Sequence, residues 1–261
     1  MASLTGKIAV VTGASRGIGK GIAHALGDAG ATVYVTGRTV TPGSAPLPGS
    51  IGETADEVTR RGGKGIAVQC DHGDDAQIKK LFELVADEQR GRMDLLVNNV
   101  YRIPDPPAWG GGFWEHPISI WDDQVGIGLR AHYVASVYGA PMMVKAKSGL
   151  IVNISSGGGA QYIYSASYGV GKAGLDRLAK DMAHELRPYN VAAVSLWPGA
   201  VKTEFVMKFA AGGGIDLSQA ESPIFTGRAI VALASDPQLM TKSGQVFVVA
   251  NLAKEYGFKD D

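Results

Sequence analysis

The chain has 261 residues, enough for one large domain or two small ones, and its 45% hydrophobic content can fill a sizeable core. Its 25 lysines and arginines balance 25 aspartates and glutamates without any basic run, which argues against nucleic-acid binding. Cys70 is the only cysteine and excludes an internal disulfide, the five histidines lack metal-ligand spacing, and no apolar run is long enough to span a membrane.

In chain order, the first expected strand covers 7–12. It leads into Gly13, Ser15, Arg16, Gly17, Ile18 and Gly19, after which a helical pattern covers 17–30. Strand, glycine turn and helix N-terminus together make a dinucleotide site: glycines let the backbone approach a pyrophosphate, and the helix end offers N–H groups and a positive dipole. The spacing is Gly-x-x-x-Gly-x-Gly rather than the commoner Gly-x-Gly-x-x-Gly. The second strand, 32–36, ends in Gly37-Arg38. An acidic residue at that strand end would bind the ribose 2′-hydroxyl of NAD. Glycine stands there instead, and Arg38 with Arg16 suits a 2′-phosphate, so NADP(H) is expected in preference to NAD(H). The Pro/Gly/Ser-rich segment 39–50 reads as a mobile surface loop able to fold over the adenine end.

Helices are expected over 52–62 and 75–90, around a strand at 65–69 that leads to Cys70 and Asp71. The fourth strand, 93–98, ends in Asn98, and an aromatic, proline- and glycine-rich loop covers 101–117. Its aromatics could wall an apolar substrate or pack on a neighbouring subunit. A long helix over 118–146 precedes a strand at 149–155, a helix at 162–187 and a strand at 190–196. Beyond these come Pro198-Gly199, a glycine-containing segment at 204–222 that could close as a lid or stay disordered without ligand, a helix at 220–234 and a strand at 244–249. Strands and helices alternate throughout, which predicts an α/β, Rossmann-type doubly wound sheet of seven parallel strands, as a single domain over 1–261. Right-handed crossovers then bring the strand carboxyl ends together as the ligand edge.

Tyr168 and Lys172 stand four residues apart on an expected helix and so share one face. A free tyrosine is a poor proton donor or acceptor near neutrality, but a neighbouring cation favours phenolate and brings it toward the working range. A serine hydroxyl nearby could hold a reacting oxygen. The pair suits proton transfer at a carbonyl or alcohol oxygen, although by itself it could also be a helix-surface contact.

These residues resemble the short-chain dehydrogenase/reductase family. Thr-Gly-Ala-Ser-Arg-Gly-Ile-Gly, Asn98-Asn99, Ser156, Tyr168-x-x-x-Lys172 and Pro198-Gly199 occur in the family's order, from Gly6 to about Val249. Further stretches, including Val-Ser-Leu-Trp-Pro-Gly and Leu-Ala-Lys-Glu-Tyr-Gly, resemble one subgroup of it. The resemblance implies Tyr168 as general acid/base, Ser156 orienting the substrate oxygen, and Lys172 holding the nicotinamide ribose while lowering the tyrosine pKa. It implies Asp71 at adenine, Asn98 at the adenine ribose, and Pro198, Gly199, Val201 and Thr203 along the nicotinamide end. Tyr164 lacks a lysine four residues on and is set aside, as is Ser155 in favour of Ser156. Two departures stand out: Gly128 where the family often has asparagine, and Val100-Tyr101 where it usually has Ala-Gly.

The expected activity is hydride transfer between NADP(H) and a small-molecule carbonyl or alcohol substrate, expected to be apolar. The N-terminus runs into the first strand without a signal-peptide core, so a cytoplasmic protein is expected; the family resemblance implies a homodimer or homotetramer formed through the long helices 118–146 and 162–187. The alternative is a nucleotide-binding regulator or assembly protein that keeps the fold and has lost turnover.

Overall fold

The computed structural model describes residues 3–105, 107, 110–212 and 216–260. Seven parallel strands form one sheet in the order β3-β2-β1-β4-β5-β6-β7. They are β1 (Ile8–Val11), β2 (Thr32–Gly37), β3 (Lys64–Gln69), β4 (Leu95–Asn98), β5 (Gly149–Ile154), β6 (Val191–Trp197) and β7 (Val246–Val248). The order reverses between β1 and β4, so crossovers leave β1 in opposite directions and open a crevice at the strand carboxyl ends.

The short central strands are apolar because both their faces are covered. In β1, Ala9 and Val11 join the core layer that includes Ile22 and Leu26 of α1 (Gly17–Asp28) and Ile230 of α8 (Pro223–Ala234). The alternate residues Ile8 and Val10 join the opposite layer, with Leu81 of α3 (Asp75–Glu88), Ala135 of α5 (Ala131–Ala146) and Ala183 of α6 (Ala166–Leu186). Val11 pairs with Val35 on one side and Val97 on the other, which brings Gly13, the Gly37-Arg38 turn and Asn99 to one edge.

Several boundaries depart from the periodicity. The helix expected from 162 begins at Ala166, because Tyr164 takes a left-handed φ of 62° and Ser165 caps the Tyr168 N–H at 3.2 Å. The helix expected over 118–146 starts as α4 (Ser119–Trp121), widens into a π-helical segment (Asp122–Arg130) and continues as α5. The segment expected as a lid contains α7 (Glu204–Ala210), started by the Thr203 side chain accepting from the Val206 N–H. Two further helices, α9 (Leu239–Lys242) and α10 (Val249–Tyr256), carry too short a pattern to be read from sequence. α2 (Ile51–Arg60) starts on the Ser50 cap, which closes the 39–50 loop.

Candidate active site

The crevice is a cavity of about 1030 Å³ that runs from the glycine loop, past the ends of β2 and β4, to Ser156, Tyr168 and α7. Gly13, Ser15, Arg16, Gly17, Ile18 and Gly19 all line it, as do Arg38, Asp71, Pro198, Gly199 and Thr203. Gly13 has a φ of 66°, and a Cβ there would lie 2.8 Å from the Val100 Cα, so only glycine fits between the loop and the end of β4.

The start of α1 has the chemistry of an anion site. Its N-cap, Arg16, supplies no side-chain cap, and its first turn has no acidic residue. Glu204, the first residue of α7, fills the role: its carboxylate accepts the Gly17 N–H at 2.7 Å and an ion pair from Lys20. A carboxylate is thus standing where a phosphate oxygen of a dinucleotide would be received, and the donor set fits such a group.

At the β2 end of the crevice, the guanidinium of Arg16 donates to the carbonyls of Leu47, Pro48 and Gly49 and to the Thr39 hydroxyl. The 39–50 segment is therefore folded onto Arg16, and Ala45, Pro46 and Leu47 wall the cavity. This corrects the expectation of a loop lying free at the surface. Burial lowers the Arg16 pKa from its ordinary value; Glu204 opposes that shift and the nearby Arg38 adds to it. Two cations face the same end of the crevice. Asp71 sits across from them, with its carboxylate accepting the Gly73 N–H at 2.9 Å and the Arg102 guanidinium 3.9 Å away.

At the opposite end, the Ser156 Oγ lies 2.8 Å from the Tyr168 hydroxyl, and Ser156 is itself fixed by the Gly158 N–H. Lys172 is 8% exposed, and its Nζ donates to the Ile154 carbonyl at 3.1 Å. Burial pushes the Lys172 ammonium down to about 8, with Asp176 opposing. Asp176, one helical turn beyond Lys172, is anchored by the Ser195 hydroxyl at 2.6 Å and the Trp197 indole. Burial raises the Tyr168 phenol above its ordinary value and the Ser156 hydrogen bond opposes it. The expectation that Lys172 draws the phenol down is not met here. The ammonium lies 5.7 Å from the centre of the Tyr168 ring and is spent on a backbone carbonyl. Ser155 and Tyr164 both lie beside this set. The Ser155 hydroxyl donates to the Lys172 carbonyl at 3.0 Å, and Tyr164 packs its ring edge-on against Tyr168.

Two expected cofactor contacts are placed elsewhere. The Asn98 side chain is fully buried behind the strand end, donating to the Ser136 hydroxyl at 2.9 Å and to Asn153 at 3.1 Å. Asn99 lines the crevice in its stead, holding the Thr12 and Gly13 carbonyls. Val201 is buried in a bridge to Glu221 and is not among the lining residues. In the 101–117 loop, Tyr101, Ile103 and Pro104 face the cavity, whereas Phe113 and Trp114 are 69% and 75% exposed and pack on each other. Pro106 and Trp109 lie outside the described residues, as do Gly213 and Gly214 of the lid segment. Sequence reasoning missed Glu204, Asp176 and Gln124, which accepts from the Ser165 hydroxyl at 3.0 Å and from Ser167. Only Asp176 left a signal, at helical spacing from Lys172.

Residues 7–212 match the family model for short chain dehydrogenases. The chain belongs to the short-chain dehydrogenase family. It is 48% identical over 273 residues to dehydrogenase/reductase SDR family member 1 of Mus musculus, covering all of this chain and 85% of the relative. The Homo sapiens protein of that name is 44% identical, across 99% of this chain and 84% of its own length. A solved metagenomic short-chain oxidoreductase in complex with NADP superposes with a TM-score of 0.75 at 30% identity, covering 95% of this chain and 97% of that one. The chain therefore shares its seven-stranded fold with an oxidoreductase family, and among its described residues no helix is long and apolar enough to cross a membrane.

Proposed function

We propose that this chain is an NADP(H)-dependent oxidoreductase of the carbonyl reductase or alcohol dehydrogenase type, with Ser156, Tyr168 and Lys172 as its catalytic set. The observation that carries the reading is the 2.8 Å contact between Ser156 Oγ and the Tyr168 hydroxyl, on the wall of a crevice whose other end is a glycine loop. A bound nicotinamide supplies the hydride chemistry. In reduction Tyr168 donates its proton to the carbonyl oxygen, and in oxidation it takes the proton from the alcohol. Ser156 holds the same oxygen, so carbon and hydride donor meet in one orientation. Lys172 provides a buried positive charge beneath the tyrosine and holds the ribose.

Arg16 and Arg38 at the adenosine end, with Gly37 where an acid would select NAD, support NADP(H). An apolar carbonyl or alcohol substrate is supported by Ile103, Pro104, Phe205 and Phe209 on the walls beyond Tyr168. We place the protein in the cytoplasm as a homo-oligomer; exposed Tyr133 and Val137 on α5 support a contact between copies.

Tyr168→Phe keeps the ring and deletes the proton. It should lower kcat by about 10²–10⁴-fold, while NADPH binding followed by its fluorescence stays intact. Normal turnover in that variant would refute the assignment. A protein that binds NADPH yet oxidises it with no aldehyde, ketone, quinone or steroid would instead be the regulator.

A further inference from the structure

The two departures from the family pattern meet in space. A Cβ built on Gly128 would lie 3.0 Å and 3.3 Å from two edge carbons of the Tyr101 ring. Gly128 sits, buried, in the π-helical segment. The Tyr101 ring thus fills the space that a side chain at 128 would need. From there it stands edge-on to the Tyr168 ring at 6.1 Å and 89°. Its centroid is 5.1 Å from the Lys172 Nζ, closer than that of Tyr168 at 5.7 Å. The charged groups acting on that ammonium are few. Among the described residues the side-chain charge that acts on it is Asp176 on its own helix, and His132 on α5 lies near enough to feel Lys172. The Ile154 carbonyl from β5 is its hydrogen-bond partner. A buried ammonium with so little anionic company gains most from an aromatic face. Gln124 in the same π-helical segment accepts from Ser165 and Ser167 at the start of α6.

We propose that Tyr101 is a positioning residue for the catalytic set. Its ring occupies the volume left by Gly128 and holds the Lys172 ammonium under Tyr168 by a cation–π contact, so that positions 101 and 128 work as a coupled pair. The assignment rests on the proposed reaction for its role in turnover, but the contact itself is readable without turnover. Retaining the aromatic face in Tyr101→Phe preserves the contact; Tyr101→Leu keeps the bulk and removes it. At Gly128, the Cβ of an asparagine presses on the ring edge, which must give way by a few tenths of an ångström, and a smaller residue at 101 makes room for it.

Lysines labelled with ¹³C, with the Lys172 signal assigned from Lys172→Arg, allow that amine to be titrated by NMR in the full protein. The ring favours the ammonium, so its removal must lower the titration midpoint. In Tyr101→Leu the midpoint should fall by about one pH unit, and in Tyr101→Phe it should stay with the parent. In NADPH-driven reduction, Tyr101→Leu should lose about tenfold in kcat with KM for the carbonyl unchanged, its alkaline limb moving to lower pH, and Tyr101→Phe should recover both. Urea unfolding tests the coupling: Gly128→Asn should lower the midpoint alone and lower it far less in a Tyr101→Ala background. An unmoved Lys172 midpoint in Tyr101→Leu, or additive effects of the 101 and 128 changes, overturns the proposal. If the parent protein turns over no carbonyl while the midpoint still shifts, the reaction assigned above fails and the ammonium contact stands.

Discussion

Tyr168, Lys172 and Ser156 were legible because each stands on a feature with fixed geometry. The first two share a helix face and the third follows a buried strand. Asn98 and Asn99 show where that legibility ends. Successive side chains at a strand end point to opposite sides, so one of two adjacent asparagines enters the crevice and the other is buried against α5. Sequence order cannot say which, because either assignment keeps an asparagine at the edge. Arg38 is exposed at the end of β2 and lines the crevice, whereas Arg16 is tied to the 47–49 carbonyls. Arg38 is therefore the freer cation to meet a 2′-phosphate. Arg38→Asp should weaken NADPH binding by about tenfold or more, the value of a charge-assisted contact, and change NADH binding far less. Equal losses for the two nucleotides, measured by fluorescence titration, would remove the case for NADP.

At the scale of elements, the glycine-rich helix α1 does two jobs. Its first turn presents N–H groups to an anion, and its next turn lies against α8. A Cβ at Gly21 would lie 2.1 Å from the Pro223 carbonyl carbon and oxygen, which are backbone and cannot step aside. Gly21→Ala must push α8 away from α1, so it should cost about 1–3 kcal/mol in urea unfolding, as overpacking does. Gly126→Ala is the matched control: a Cβ there meets nothing within 4 Å, and the change should stay within about 0.5 kcal/mol. Equal stability of the two variants would mean that α1 and α8 are not packed as described. The α1 pattern announced a phosphate loop but not this contact, because the apposition of α1 with α8 joins residues about 200 positions apart. The π-helical segment was equally hidden, since its apolar spacing is compatible with an ordinary helix.

Across the whole molecule, two layers of core on either face of the sheet enclose histidines that the proposed reaction does not use. His72 is 3% and His132 is 1% exposed. His72 meets the Thr36 hydroxyl at 2.8 Å, and His132 meets the Val100 carbonyl at 2.8 Å. Burial lowers their pKa values to about 4 and about 3. In the unfolded chain they take up protons near pH ~6.5, so between about 6.5 and about 4 the unfolded state binds more protons than the folded one. Stability is then fully present above pH ~6.5 and is lost as pH falls through that window, by up to about 1.4 kcal/mol per pH unit for each histidine. Urea unfolding from pH 7 to pH 4.5 should show this decline, and His72→Gln should flatten it. A decline of the same slope in that variant would remove His72 from the account.

The sequence by itself determined the alternation of strands and helices, the glycine loop after β1, the serine at the end of β5 and the tyrosine and lysine one turn apart. Each is a local pattern whose geometry follows from backbone periodicity. The tertiary structure alone decided that Glu204 meets the start of α1, that the 39–50 loop closes on Arg16, and that Tyr101 occupies the space beside Gly128. Those contacts join segments far apart in the chain, and their partners are selected by the volume and charge left over once the sheet has formed.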